Sequence, residues 1–342
     1  MSDEKEVTQT IESGVPAKPV KKRACVDHCK RFWWLHLIIF VLVSVLVICL
    51  IIFVAVPKIA QAKVNDAELE IQGVNVLDTK PDSYLMQINS TIKTDGKVKA
   101  DIDPFVGNLY LEDVPNAPAF ATLDFPATNG DEHQIVNVSQ VVRITDEKAF
   151  EQFNIDFFQR KNLTIRIQGN TQIQPKGLNR KSSVEFKKVL TVNGLNLLNG
   201  TKVVGGKVDF MAKSGENNFH GTAEIPNNSH FTLDIGNATF INYADNQELG
   251  KLTITNLVLR PGINKVAVAA AMDQVKIVQI LAKKPYCETG IIPFQLLGSD
   301  VQNNGKQIPY FLAALSSANQ TVPIDIAGIL GIEASCPTTT SS

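Results

Sequence analysis

Asp101-Ile102-Asp103 sets two carboxylates at i and i+2. On a strand both point to the same side, the arrangement that chelates a divalent cation for metal-assisted sugar transfer. Two features oppose that chemistry. Asp103 precedes Pro104, and Asp-Pro favours a turn. Val98, Ala100 and Ile102 alternate with the aspartates and claim the core side, leaving the carboxylates in water. No alternating strand–helix units surround the pair to build a nucleotide-binding sheet. Cys25-Val-Asp-His28-Cys29 offers three zinc ligands where a closed structural site needs four. His28, His36, His133, His220 and His230 form no His-Glu-x-x-His pair. A Gly-x-Ser-x-Gly elbow, a P-loop and a Gly-x-Gly-x-x-Gly are all lacking. These residues therefore predict no catalytic, cofactor-binding or metal site, and a non-enzymatic protein.

The strongest element is Leu37–Val56, twenty residues without a charge. At 1.5 Å per residue it spans about 30 Å, the thickness of a bilayer's hydrocarbon core. It has no polar face at a 3.6-residue period, as a soluble core helix would. Lys18, Lys21, Lys22, Arg23, Lys30 and Arg31 precede it, opposed locally only by Asp27, while Lys58 and Lys63 and then Asp66, Glu68 and Glu70 follow. The positive-inside rule then leaves the N-terminus cytosolic, with Trp33 and Trp34 in the interfacial belt. Ala60-Gln61-Ala62 resembles a signal-peptidase site, but a cleaved signal has a shorter apolar core and a shorter N-region. The reading is a type II signal anchor: residues 1–34 a basic cytosolic tail, 35–56 the span, and 286 residues across the membrane. Cys25 and Cys29, beside basic residues, are candidates for lipidation by S-acylation, with unmodified thiols the simpler alternative.

Beyond the span lie 26 basic and 29 acidic residues, a balance that gives nucleic acid no footprint. Only Cys287 and Cys336 lie there, an even pair expected to form one disulfide in an oxidising compartment. Asn89, Asn137, Asn162, Asn199, Asn227, Asn237 and Asn319 each open an Asn-x-Ser/Thr triplet, all after the span and none before it. They are the expected glycosylation sites.

The pattern past Lys63 is alternation, the mark of half-buried strands: Tyr84, Met86 and Ile88; Leu163, Ile165 and Ile167; Phe231, Leu233 and Ile235. Asp95-Gly96, Asn129-Gly130, Asn193-Gly194, Asn199-Gly200 and Asn304-Gly305 punctuate it. Two stretches read as helices. Thr145–Lys161 sets Phe150, Phe153, Phe157 and Phe158 on one face, with Asp146 and Glu147 near its start. Asp273–Lys284 places Val275, Val278 and Leu281 at i, i+3, i+6 and ends at Pro285. Ile71-Gln-Gly-Val-Asn-Val-Leu77 aligns with Val192-Asn-Gly-Leu-Asn-Leu-Leu198. This suggests a repeat: a mainly β chain with one transmembrane helix and two tandem antiparallel β-sandwich-like units, residues 64–179 and 181–335, each with a short helix. Residues 336–342 read as a disordered tail.

Cys29–Phe40 (CKRFWWLHLIIF), the Gly-x-Asn-x-Leu units and Gly221–Val266 together resemble a fungal family of single-pass vacuolar-type membrane proteins with a lumenal domain of unknown function. Gly221–Val266 is also similar to the group 2 late-embryogenesis-abundant domain, a β-sandwich with one helix, through Asn-Ala-Thr-Phe, Glu-Leu-Gly and Leu-x-Leu-x-Pro-Gly. The resemblance implies fungal origin, a vacuolar or late secretory membrane, and a structural or regulatory role. It carries no catalytic residues to these positions. The leading expectation is a scaffold or regulator that binds other membrane or lumenal proteins. The alternatives are a lipid-binding or lipid-transfer protein, with an acyl chain between sheets under the phenylalanine helix, and a glycan-processing enzyme.

Overall fold

The computed structural model describes residues 23–213 and 215–337, with side chains from Trp33 onward. It divides into two compact bodies, residues 1–56 and 57–342. In the first, α1 (Arg23–Leu50) runs into a π-helical turn, Ile51–Ala55; α2 (Val56–Asp66) follows and belongs to the second body from Pro57 onward. Pro57 accounts for the turn: it lacks an N–H, and its ring crowds the carbonyl four residues back, so the backbone widens before it. Trp33–Asp66 is the one helix among the described residues long and apolar enough to cross a membrane. Its side chains from Trp33 to Val54 are almost all exposed, as a lipid-facing surface requires. The chain thus has the form of a membrane-anchored protein. The tail before Arg23, and residues 338–342 of the expected disordered tail, lie outside the described residues. So do the side chains of Cys25 and Cys29.

The second body is mainly β. Its first half holds β1 (Glu68–Leu77), β2 (Ser83–Lys93), β3 (Ala100–Ile102), β4 (Phe105–Leu111), β5 (Ala121–Phe125), β6 (Thr128–Asn129), β7 (His133–Arg143), α3 (Glu147–Gln159), β8 (Asn162–Pro175) and β9 (Ser182–Asn193). The second half holds β10 (Lys202–Val208), β11 (Phe219–Asn227), β12 (Phe231–Ala244), β13 (Gln247–Leu259), β14 (Gly262–Met272) and α4 (Gln274–Leu281). It continues with α5 (Tyr286–Thr289), β15 (Ile291–Asn303), β16 (Lys306–Gln307), α6 (Pro309–Ser316), β17 (Gln320–Asp325) and α7 (Ile326–Leu330).

The large sheet runs β10-β11-β14-β13-β12-β1-β2-β7, with β15 also beside β12 and then β17 and β16 beside β15. The smaller sheet runs β5-β4-β8-β3-β6, with β9 on β8. The two halves are therefore joined by hydrogen bonds. β1 pairs in parallel with the first part of β12, Val74 opposite Phe231 and Val76 opposite Leu233, and β15 takes over along the rest of β12. One hydrophobic core runs from Val74 to Val322 through both halves. The proposed repeat segments adopt different conformations. Ile71–Leu77 is strand, whereas Val192–Leu198 is the end of β9 followed by a turn in which Asn196, Leu197 and Leu198 all have positive φ.

The phenylalanine helix forms as its spacing predicts. The Asp146 side chain caps it, accepting from Ala149 N at 2.9 Å. Phe150, Phe153, Phe157 and Phe158 are all buried. Phe120 stacks on Phe153 at 4.2 Å between centroids, Tyr84 on Phe150 at 5.2 Å, and Tyr310 of α6 meets Phe150 edge-on at 4.8 Å. This is helix-on-sheet packing around an apolar cavity of about 40 Å³, lined by the rings of Tyr84, Phe120, Phe150, Phe153 and Phe157. In α4 the buried side is offset from the expected one. Ile280 is fully buried and Ile277 half-buried, while Val275 and Val278 face out.

Where α2 meets the sheet edge, Ala60 and Val64 are buried against Ala100, Ile173 and Val184. Gln61 reads the backbone of β9 twice: Oε1 accepts from Glu185 N at 2.9 Å and Nε2 donates to Glu185 O at 2.8 Å. Lys188 Nζ donates to the carbonyls of Asn65 (2.8 Å) and Ala67, capping the helix C-terminus. Burial lowers the Lys188 pKa.

Candidate apolar ligand site

The second half of the large sheet curls. From β12 it extends through β13, β14 and β11 to β10 on one side, and through β15 to β17 on the other. β10 and β17 come within 8 Å without forming a ladder. This near-closed barrel leaves a cleft at the C-terminal end of β12, roofed by α4 and α7. Mouths of barrels are common ligand sites.

The cleft offers about 90 Å³ of solvent-accessible space, room for a short apolar group and below the roughly 300–1,000 Å³ of whole small-molecule sites. Val203 and Val208 of β10, Phe219, Leu252, Ala270, Met272 and Phe294 form its walls, with Ile277 and Val278 of α4 and Ile329 and Leu330 of α7 across it. Three polar residues line it, and each is engaged with the protein. Asn218 donates from Nδ2 to Met272 O (2.7 Å) and accepts at Oδ1 from Met272 N (2.9 Å). Asn242 donates to Gly250 O at 3.4 Å and Gln274 to Asp209 O at 3.0 Å. No charged side chain lines the cleft. Such a site recognises an apolar group by shape and burial. It offers nothing to orient a sugar or a phosphate.

A disulfide backs one wall. Cys287 of α5 is joined to Cys336, Cα–Cα 4.7 Å, closing the chain around β15, α6, β17 and α7. Lys284-Pro285 before it is cis. Pro285, expected to end the second helix, lies just past α4 and N-caps α5.

The other residues marked by the sequence are scattered. Asp103 is paired with Lys181, whose Nζ lies 2.8 and 2.6 Å from its two oxygens, and Asp101 is exposed on β3. Asp103 thus already has its counter-charge. His133, His220 and His230 are exposed and far apart in the sheet order. Asn89, Asn137, Asn162, Asn199, Asn237 and Asn319 are exposed, and Asn89 and Asn137 stand directly opposite each other on β2 and β7. Asn227 differs. It is 1 % exposed, with Nδ2 donating to Phe231 O (2.7 Å) and Leu259 O (3.4 Å) and Oδ1 accepting from Ser229 N and Oγ. A glycan on that nitrogen does not fit the folded turn. The cleft itself carried no sequence signal beyond Val278, an apolar residue on the outward side of α4.

Residues 118–242 match a family described only as a protein of unknown function (DUF3712). No curated protein matches the chain. Two crystal forms of a bacterial adhesin from Mobiluncus mulieris with disulfide, isopeptide and ester cross-links are similar in outline. The first is 10% identical, covering 76% of this chain and 98% of that one at a TM-score of 0.20. The second is 12% identical, covering 62% and 81% at 0.18. At those scores neither carries an argument, so the chain is similar in part to one family of unknown function and its site must be read from its own residues.

Proposed function

We propose that this chain is a non-enzymatic, type II membrane-anchored binding protein whose recognition site is the apolar cleft between β10, α4 and α7. The observation that carries this reading is an open apolar cleft in which every polar side chain is already bonded to the protein. The N-terminus is cytosolic and the rest lumenal. The basic flank, the Cys287–Cys336 disulfide and the six exposed sequons support that orientation. The family resemblance favours the fungal vacuole or another late secretory membrane, and there a role as scaffold or regulator. Lipid binding is the second reading, favoured by a lining that gives a peptide backbone nothing to bond.

A photoreactive amino acid at Val278, in the full chain in its native membranes, tests the site. Val278 touches the cleft yet is 57 % exposed, so replacement there leaves the fold intact. A discrete adduct that disappears when Ala270→Trp fills the cleft is expected. An adduct unaffected by that filling, or none while a photoreactive group within the span cross-links lipid, contradicts the reading.

A further inference from the structure

β9 is an edge strand of the smaller sheet, paired with β8 from Ser182 to Asn193 without a break in register. On its other side Gln61 accepts from Glu185 N and donates to Glu185 O, so the N–H and C=O of Glu185 point away from β8. Backbone direction alternates along a strand. The N–H and C=O of Lys187, Val189 and Thr191 therefore point the same way. Among the described residues nothing bonds them, and all three residues are exposed, Val189 by 51 %.

Other edges face a neighbour: β10 lies beside β17, and β7 beside β5, where Gln140 Oε1 accepts from Asp124 N at 3.1 Å. The open run on β9 is bounded at both ends. Gln61 occupies it at Glu185, and at Asn193, where β9 ends, the side chain donates to Asn228 O at 3.2 Å. Beside the run, α2 and β9 leave a groove of about 620 Å³, lined by Gln61, Asn65, Glu185, Lys187, Lys188 and Val189. It has room for the side chains of an added strand.

Unpaired N–H and C=O groups at two-residue spacing match one ligand chemistry, the backbone of another extended strand. We infer that this strand is β9 of a second copy of the chain, antiparallel, with Val189 on the two-fold axis. The open run is symmetric about Val189, so this register uses every free group on both copies. Lys187 meets Thr191 of the second copy and Val189 meets Val189, each pair exchanging two hydrogen bonds. Lys188 falls opposite Leu190, so no like charges meet, and the exposed face gains a Val–Val contact. A surface that pairs with itself about a two-fold axis is the commonest route to an oligomer. The pairing involves the second body alone and joins two smaller sheets into one. No β9 residue lines the apolar cleft, so the inference stands apart from the proposed function.

Thiol trapping of the full chain in its native membranes tests this, with Cys25, Cys29 and Cys49 changed to Ser and single cysteines placed on β9. Opposed Cα atoms in such a pair are about 5.5 Å apart, inside the range a disulfide spans. Val189→Cys should give a covalent dimer on mild oxidation. Lys187→Cys or Thr191→Cys alone lies about 13 Å from its own counterpart and should give at least fivefold less, while the two together restore the dimer. Adding Val189→Pro to that pair should cut trapping at least tenfold. The Val189 N–H faces away from β8, so proline removes no ladder bond; unchanged trypsin resistance of residues 57–342 checks the fold. No dimer from Val189→Cys, equal dimer from all three single cysteines, or trapping undiminished by Val189→Pro overturns the inference. The single-cysteine pattern decides the question even if the proline variant unfolds.

Discussion

Asn227 shows how a residue's surroundings override its motif. In sequence it opens a sequon like the other six; in the fold its amide is the centre of the β11–β12 turn. Asn227→Gln is expected to leave the glycosylated band in place on a gel while costing about 1–3 kcal/mol in a denaturant melt, the usual loss for unmade buried hydrogen bonds. Asn89→Gln or Asn137→Gln should do the opposite, shifting the band with little effect on stability. Glu224 is a second case at this scale. Lys202 and Lys265, at 3.0 and 3.2 Å on the flanking strands, hold its carboxyl below the usual range by hydrogen bonding first and charge second. A depressed carboxylate adds stability above its unfolded pKa and loses it as pH falls through the folded value. Glu224→Gln should therefore lower the melting temperature near neutrality, by an amount that shrinks as pH falls below the usual carboxylate range; a loss that does not change with pH would contradict the ion-pair account.

At the scale of elements, the phenylalanine helix was legible because four aromatic positions and an acidic N-cap agree on one face and one start. Phe153→Ala should cost about 3–5 kcal/mol in the same melt, the range for emptying a packed aromatic site. α4 was legible as a helix but not in orientation. Its apolar residues surround it, and only tertiary packing chose Ile280 over Val275. The turn between Asn-Ala-Thr-Phe and Glu-Leu-Gly is a hairpin at Asp245-Asn246 without a glycine, and both residues take the positive φ its tight turn demands. The cleft was invisible for a different reason: it is assembled from seven strands and two helices that no local pattern connects. Reducing or replacing the Cys287–Cys336 bond, which spans 49 residues, should cost about 4 kcal/mol in the chain-entropy limit. The effect should extend to the α7 wall of the cleft, read as faster amide exchange at Ile329 and Leu330.

For the whole molecule, strand content and the anchor were readable from alternation and from one uninterrupted apolar run. The union of the halves was not, since β1 and β12 are separated by more than 150 residues and their pairing is parallel. Because they share one sheet and one core, residues 57–342 should unfold in a single transition. A fragment ending at Asn179 should be digested rapidly by trypsin, and a protease-resistant fragment would indicate two independent units instead. Every functional statement also requires the 286 residues after the span to lie across the membrane from the tail. Protease added to sealed organelles, followed by glycosidase treatment of the surviving product, measures that directly. A fragment retaining the C-terminal body, shortened only by its tail and moving faster after deglycosylation, is the predicted result. Loss of the C-terminal body in intact organelles, with mobility unaltered by the glycosidase, would contradict the account.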